Sequence, residues 1–270
     1  MNNHFTFING NYVPFDQASL PVSDLSIQRG YAVFDFFLVR NGVPPYLSFH
    51  MERLMKSVSL LKIEIPYSQA ELSSIVLELI KKNNHGNSSV KIIVTGGLSV
   101  DDFTLSSSSV LIINKPFEVP VTEATRNGGL LITSKYQRDM PEAKTINYVR
   151  SVSLSRQLID SNAVEILFLD RNWVRECSRS NIFMVKDKVV FTPKSKILKG
   201  VTKRRILSLE GFETKEKDFK FSDLLHADEV FITSTTKGVM PIKRIDSTVI
   251  ADGLVGPVTK AIQNIIMKGN

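Results

Sequence analysis

The sequence is poor in the residues that build covalent and metal-held scaffolds. Cys177 is the only cysteine among 270 residues, which excludes an internal disulfide framework and any multi-cysteine zinc or iron–sulfur site. The four histidines, His4, His50, His85 and His226, stand singly, without a helix-spaced partner for a metal. No apolar run approaches the roughly 20 residues that span a bilayer. No Gly-x-Gly-x-x-Gly follows a strand-like stretch, and neither a P-loop glycine motif nor a Gly-x-Ser-x-Gly elbow occurs. Dinucleotide, P-loop and serine-triad chemistry therefore lack their usual signatures. The start, Met-Asn-Asn-His-Phe-Thr-Phe, lacks the basic-then-apolar pattern of a secretory signal, so a cytoplasmic protein without membrane attachment is expected.

What is present begins with charge. The 34 Lys and Arg exceed the 27 Asp and Glu, a net charge of +7. The basic residues are spread along the chain. Their densest cluster, Lys194 to Arg205, contains no aromatic residue to stack on bases, which favours a small anionic ligand over nucleic acid.

The apolar pattern predicts many strands and a few helices. Phe5–Phe15 reads as a hairpin about Asn9-Gly10. Ala32–Val39 is aromatic and β-branched, hence a strand, and Asn41-Gly42 predicts a second hairpin returning to Tyr46–Leu47. Ser48 reads as the cap of a helix carrying Met51, Leu54, Val58 and Leu61, and Ser68 as the cap of another ending near Lys82. Strands follow at Val90–Thr95 and Val110–Asn114. Lys115–Gly128, with Pro116 and Pro120, is the expected linker. Beyond it, strands are predicted at 130–133, 165–169, 181–185, 189–191, 229–233 and 239–242, and helices at 148–161, 202–208 and 256–267. Without regular β-α alternation this is an α+β protein, with a smaller domain over 1–120 and a larger one over 121–270.

With metals and triads set aside, chemistry falls to Lys, Glu, Tyr, Arg and hydroxyls, together with an organic cofactor. Five segments supply them. They are Ala143-Lys144-Thr145-Ile146-Asn147-Tyr148, the run from Val174 through Glu176 to Phe183, Leu198-Lys199-Gly200-Val201-Thr202, Ser234-Thr235-Thr236-Lys237-Gly238, and His50-Met51-Glu52-Arg53-Leu54. Each alone reads as a surface charge, a cap or a turn. In this order they resemble the class IV aminotransferases, the fold type IV pyridoxal-phosphate enzymes. That family includes branched-chain aminotransferases, D-amino-acid aminotransferases and aminodeoxychorismate lyases, and the resemblance covers most of the chain.

The resemblance implies a two-domain fold holding pyridoxal 5'-phosphate between the domains. It makes Lys144 the catalytic lysine that forms the Schiff base and shuttles a proton. Glu176 pairs with the pyridine nitrogen, and Tyr148 bonds the ring oxygen, on the lysine's own face if that stretch is helical. Leu198 packs on the ring. Gly200, Val201, Thr202, Ser234, Thr235 and Arg53 surround the phosphate. It also implies a homodimer acting on an amino acid and a 2-oxo acid, with no metal.

Substrate identity rests on departures from the pattern. The family's Arg-Gly-Asp-Gly-Val-Phe-Glu stands here as Arg29-Gly30-Tyr31-Ala32-Val33-Phe34-Asp35. Phe34 replaces the tyrosine of D-amino-acid enzymes, and Gly96-Gly97-Leu98-Ser99 lacks the arginine that holds their substrate carboxylate. This ranks D-amino-acid enzymes last of the three. The carboxylate is left to Arg40 or to backbone donors around Thr235-Thr236, while Phe34, with Phe36 or Phe37, would wall an apolar side chain. A branched-chain aminotransferase is the expectation. An aminodeoxychorismate lyase, which eliminates pyruvate to give 4-aminobenzoate, and a non-catalytic binding protein on the same scaffold are the alternatives.

Overall fold

A computed structural model describes residues 4–120 and 122–268. The N-terminal tripeptide, whose polarity bears on the signal-peptide reading, and Val121, at the expected domain boundary, lie outside them. Two compact units form: Met1–Glu118 with Ala143–Asn147, and Val119–Glu142 with Tyr148–Asn270. The short segment carrying Lys144 thus packs with the first unit although sequence order places it in the second half.

In the first unit, β1 (Phe5–Ile8) and β2 (Asn11–Pro14) are followed by α1 (Leu25–Gln28), β3 (Ala32–Val39), α2 (Leu47–Leu60), α3 (Gln69–Asn83), β4 (Ser88–Thr95) and β5 (Val110–Pro116). The five strands form one antiparallel sheet in the order β2-β1-β5-β4-β3. Asn9 and Gly10 take positive φ, as the predicted hairpin requires. The Ser68 cap forms in full: its hydroxyl accepts from the Glu71 N–H at 3.2 Å and Glu71 returns the bond, satisfying donors the first turn leaves open. The second hairpin does not form. Only an isolated Arg40–Val43 bridge follows β3, because Pro44 and Pro45 have no N–H for a ladder. Tyr46, not Ser48, caps α2, in the left-handed region.

One face of this sheet packs on α2 and α3 through Val33, Phe37 and Val39, with Met51, Leu54, Leu72, Val76 and Leu79 in the same core. Side chains alternate across a strand, so Phe34 and Phe36 lie on the opposite face, both half-buried.

The second unit holds α4 (Glu123–Asn127), β6 (Gly129–Lys135), α5 (Val149–Ser153), α6 (Ser155–Ser161), β7 (Glu165–Asp170), β8 (Trp173–Cys177), β9 (Asn181–Lys186) and β10 (Val189–Thr192). Then come α7 (Val201–Leu207), β11 (Thr214–Glu216), α8 (Phe221–Leu225), β12 (Glu229–Ser234), β13 (Gly238–Ile245), β14 (Thr248–Val249) and α9 (Pro257–Lys268). Its nine-stranded mixed sheet runs β11-β10-β9-β12-β13-β6-β7-β8, with β14 on β13. The expected linker carries a helical turn, α4, and the predicted helix over 148–161 is two short helices. Among the described residues no helix is long and apolar enough to cross a membrane.

Candidate active site

In the first unit, Lys144 is fixed through its backbone. Its carbonyl accepts from the Phe34 N–H at 2.8 Å, the Ile146 N–H reaches the Ala32 carbonyl at 3.1 Å, and Val33 bridges Thr145. The segment therefore lies along the edge of β3 as a short extra strand. From the helix side, the Ser57 hydroxyl accepts from the Lys144 N–H at 3.0 Å and donates to the Arg53 carbonyl at 2.9 Å. Ser57 is fully buried, so the bond is shielded from water. The Lys144 Nζ ends 4.4 Å from the centre of the Phe34 ring, a cation over an aromatic face.

Arg53 projects from α2 onto Asp35. Its Nε and Nη2 donate to the two carboxylate oxygens at 2.7 and 2.8 Å, the planar fork that guanidinium makes with carboxylate. His50 adds a third contact, Nδ1 to Oδ1 at 2.7 Å. Burial by itself would raise the Asp35 pKa, but the Arg53 charge and the bonds from His50 and Arg53 outweigh it and hold the carboxyl well below its usual range. Burial lowers the His50 pKa against the pull of Asp35, so the ring is neutral and its Nδ1–H donates. Asp35 is fully buried, and the family carries the longer glutamate at its position. Its pairing with a residue 18 positions away leaves no sequence signal beyond that match.

In the second unit, Glu176 lies on β8, where sequence patterning suggested a turn. It is buried, and both oxygens are engaged. Oε1 accepts from Arg138 Nε at 2.8 Å and Oε2 from the Leu198 N–H at 2.9 Å. Arg138 therefore pairs with Glu176 and, together with the Leu198 N–H, fixes its carboxylate in place. Asn181 Nδ2 donates to the Leu198 carbonyl at 2.7 Å, fixing that loop on its other side. Gly200 is the N-cap of α7, whose first turn holds Val201 and Thr202 and has no side-chain cap. The hydroxyl cluster joins the same sheet, since Thr233 pairs directly with Asn181 across β12 and β9 and Ser234 follows it.

The Ser234 hydroxyl accepts from the Lys237 N–H at 3.3 Å, and Thr235 and Thr236 sit in the same turn, half-exposed. Lys237 Nζ pairs with the fully buried Glu165, which also accepts from Ser180 Oγ at 2.8 Å. That pair ties the 178–180 turn to the 234–237 turn and was not foreseen. Tyr148 immediately precedes α5, which begins at Val149. Residues 144–147 are not helical, so the face-sharing argument for Tyr148 does not hold. Arg40 sits in the turn after β3, bonded through its backbone to Val43. Burial drives the Cys177 thiol well above its ordinary pKa, which makes it inert. Within the basic cluster, Lys203 is buried against the Pro193 carbonyl and Glu216, so it adds nothing to a basic surface.

Gly200 is required by space. A Cβ there would stand 2.1 Å from Asn181 Oδ1. Gly200→Ala should displace Asn181 from the Leu198 carbonyl and destabilise the protein by about 1–3 kcal/mol, the range for overpacking. Thermal unfolding checks this, and the added cost should shrink in an Asn181→Ser background.

A family model for class IV amino-transferases matches residues 32–245. A D-alanine aminotransferase of Listeria monocytogenes is 31% identical over 97% of this chain and 94% of its own length. A putative branched-chain-amino-acid aminotransferase of Methanocaldococcus jannaschii is 32% identical over 95% and 93%. The two relatives match equally well, so they do not carry the ranking that put D-amino-acid enzymes last. Among solved structures, the branched-chain aminotransferase of Escherichia coli superposes with a TM-score of 0.90 at 27% identity, covering 98% of this chain and 94% of that one. A T.th. branched-chain aminotransferase solved with pyridoxamine 5'-phosphate gives 0.89 at 27%, covering 98% and 93%. A putative 4-amino-4-deoxychorismate lyase of Legionella pneumophila, at 22% identity and a TM-score of 0.84 over 94% and 96% of the two chains, shares the fold. The chain belongs to the class IV aminotransferases, pyridoxal-phosphate-dependent transaminases that move an amino group between an amino acid and a 2-oxo acid.

Proposed function

We propose that this enzyme transfers the amino group of an aliphatic, branched-chain amino acid, with Lys144 as its catalytic residue. The observation that carries the reading is the pinned Lys144 segment, whose ammonium rests on the Phe34 ring. Phe34 and Phe36, on the face of the sheet away from the core, suit an apolar substrate side chain.

The residues of the second unit fit the cofactor. Glu176 is a buried carboxylate held in one orientation by Arg138 and the Leu198 N–H. Beside it, Gly200 leaves no room for a side chain. The buried hydroxyls of Ser178 and Thr233 lack a partner among the described residues, as expected of donors reserved for a ligand. Pyridoxal phosphate supplies an aldehyde that takes up the amino group and a ring that accepts the electrons freed at the substrate Cα.

The protein's own tasks then divide by residue. Lys144 Nζ anchors the aldehyde carbon and moves the Cα proton. Glu176 holds a proton on the ring nitrogen, and Tyr148 donates to the ring oxygen. Leu198 packs against the ring. Arg53, the Ser234 and Thr235 hydroxyls, and the Gly200, Val201 and Thr202 backbone hold the phosphate. Thr236 and Arg40 are the substrate-carboxylate donors that the family pattern suggests. A cytoplasmic homodimer completes the proposal. Val100 and Phe103, fully or largely exposed after β4, are apolar side chains that such an interface would cover.

The test is a panel of L- and D-amino acids added singly to the purified holoenzyme. Conversion of the cofactor's visible spectrum to the amine form, with stoichiometric 2-oxo acid release, is expected for leucine, isoleucine or valine. Pyruvate release from aminodeoxychorismate without that conversion would replace this reading with the lyase. No spectral response to any donor would leave a binding protein.

A further inference from the structure

Lys237 and Glu165 form an ion pair that strand pairing does not require. Glu165 opens β7, and Lys237 lies in the turn between β12 and β13. Within the sheet, β13 and β6 separate β12 from β7. The Lys237 ammonium nevertheless reaches the Glu165 carboxylate, with the lysine side chain 14% exposed and the acid fully buried. The same carboxylate collects donors from the turn between β8 and β9. Its Oε1 accepts from Ser180 Oγ at 2.8 Å and its Oε2 from the Arg179 N–H at 3.1 Å.

One buried acid therefore braces two turns against each other. Pairing of Thr233 with Asn181, and of Ser234 with Gly238, fixes the strands where these turns begin. Beyond those pairs the tips have no ladder, and Thr235 and Thr236 are half-exposed. A carboxylate with no exposure must keep its donors, because a lost partner leaves a desolvated charge. That requirement sets the spacing of the two turns.

Each turn also adjoins an open donor. The hydroxyls of Ser178 and Thr233 are buried and lack a partner among the described residues. A brace beside donors left open is expected where a ligand, rather than the protein, completes the bonding. The Lys237 ammonium is itself committed to Glu165, so its part is to hold the turn in place.

We propose that Lys237, acting through Glu165, is a positioning residue for the cofactor phosphate. The pair sets the place at which the hydroxyl and backbone donors of the 234–237 turn meet that group. This rests on the aminotransferase reading, which puts the phosphate at Ser234 and Thr235, and adds a residue acting through the turn rather than on the phosphate itself.

The experiment titrates full-length protein freed of cofactor with pyridoxal 5'-phosphate and with pyridoxal, which lacks the phosphate. The visible band of the lysine-bound ring reports both. K237M removes the charge at similar length, K237R keeps it, and E165Q/K237M removes both charges together. In K237M, affinity for pyridoxal 5'-phosphate should fall roughly 10- to 100-fold, the cost of displacing bonding groups by about an ångström. Affinity for pyridoxal should not change, and K237R should restore most of the loss. Thermal unfolding of the cofactor-free proteins is read alongside. K237M should melt earlier, since a buried charge is left unpaired, whereas E165Q/K237M should recover stability without recovering phosphate affinity.

A purely structural pair would give a different pattern: both ligands weakened in proportion, or affinity that recovers with stability in the double variant. Either result, or equal affinities of K237M and the parent, overturns the proposal. If the parent takes up neither ligand, the aminotransferase reading fails and this proposal with it. Should K237M fail to fold, K237Q and the double variant carry the same comparison.

Discussion

Lys144→Ala should remove the visible absorption of the lysine-bound cofactor and lower turnover by at least a hundred- to ten-thousand-fold, roughly the worth of a positioned proton carrier alone. It should do so with little structural cost. The bonds that hold the segment run from the Lys144 N–H to Ser57 and from the Phe34 N–H to the Lys144 carbonyl, and neither uses the lysine side chain. Stability should therefore stay within about 0.5 kcal/mol of the parent. Absorbance, single-donor turnover and thermal unfolding on one preparation separate these effects. A persistent band, or full activity, would remove Lys144 from the mechanism. A large drop in melting temperature would mean that the ammonium–Phe34 contact carries more of the fold than its geometry suggests.

Asp35→Ala is expected to be the most damaging substitution to stability, at about 3–5 kcal/mol. Removing one partner of a buried ion pair leaves the other charge uncompensated, and here Arg53, with an 11% exposed side chain, would lose both carboxylate bonds. The same group predicts a pH dependence. Its folded pKa is depressed by Arg53 against the opposing effect of burial. Its stabilisation is therefore fully present above the unfolded carboxylate value of about 3.9 and is lost as pH falls below it.

His50, held neutral by burial, adds an earlier loss that begins as pH falls below its ordinary value of about 6.5. Urea unfolding of the parent and of Asp35→Asn between neutral pH and pH 3 checks the sign. The gap between the two proteins should narrow only in the acid limb. A gap independent of pH would show that packing, rather than charge, dominates at this site. Cofactor retention should fall in both variants, because Arg53 would no longer be held in a single orientation.

These expectations also show which contacts can be read along a chain. The Asn9-Gly10 turn, the Ser68–Glu71 capping box and the Ala32–Val39 strand are local. Each depends on residues a few positions apart, whose backbone preferences and short hydrogen bonds act before any tertiary contact exists. The ordered motifs around Lys144, Glu176, Gly200 and Ser234 were legible for a related reason, since each is a compact run of residue types. The second hairpin failed because Asn41-Gly42 was weighed without Pro44-Pro45. The role of Tyr148 was argued from a helical face shared with Lys144, but α5 begins only at Val149, beyond both residues.

Sequence alone pointed to the family and the cofactor class and nominated candidate residues for the chemistry, because these reside in residue identity and short-range order. Tertiary structure alone decided what orients them. Asp35 reaches His50 and Arg53 across 15 and 18 positions, Arg138 reaches Glu176 across 38, and Ser57 reaches Lys144 across 87. Lys237 reaches Glu165 across 72 positions and two intervening strands. Such contacts form when strand pairing and burial bring distant segments together, and a buried charge then accepts whichever partner the packing presents.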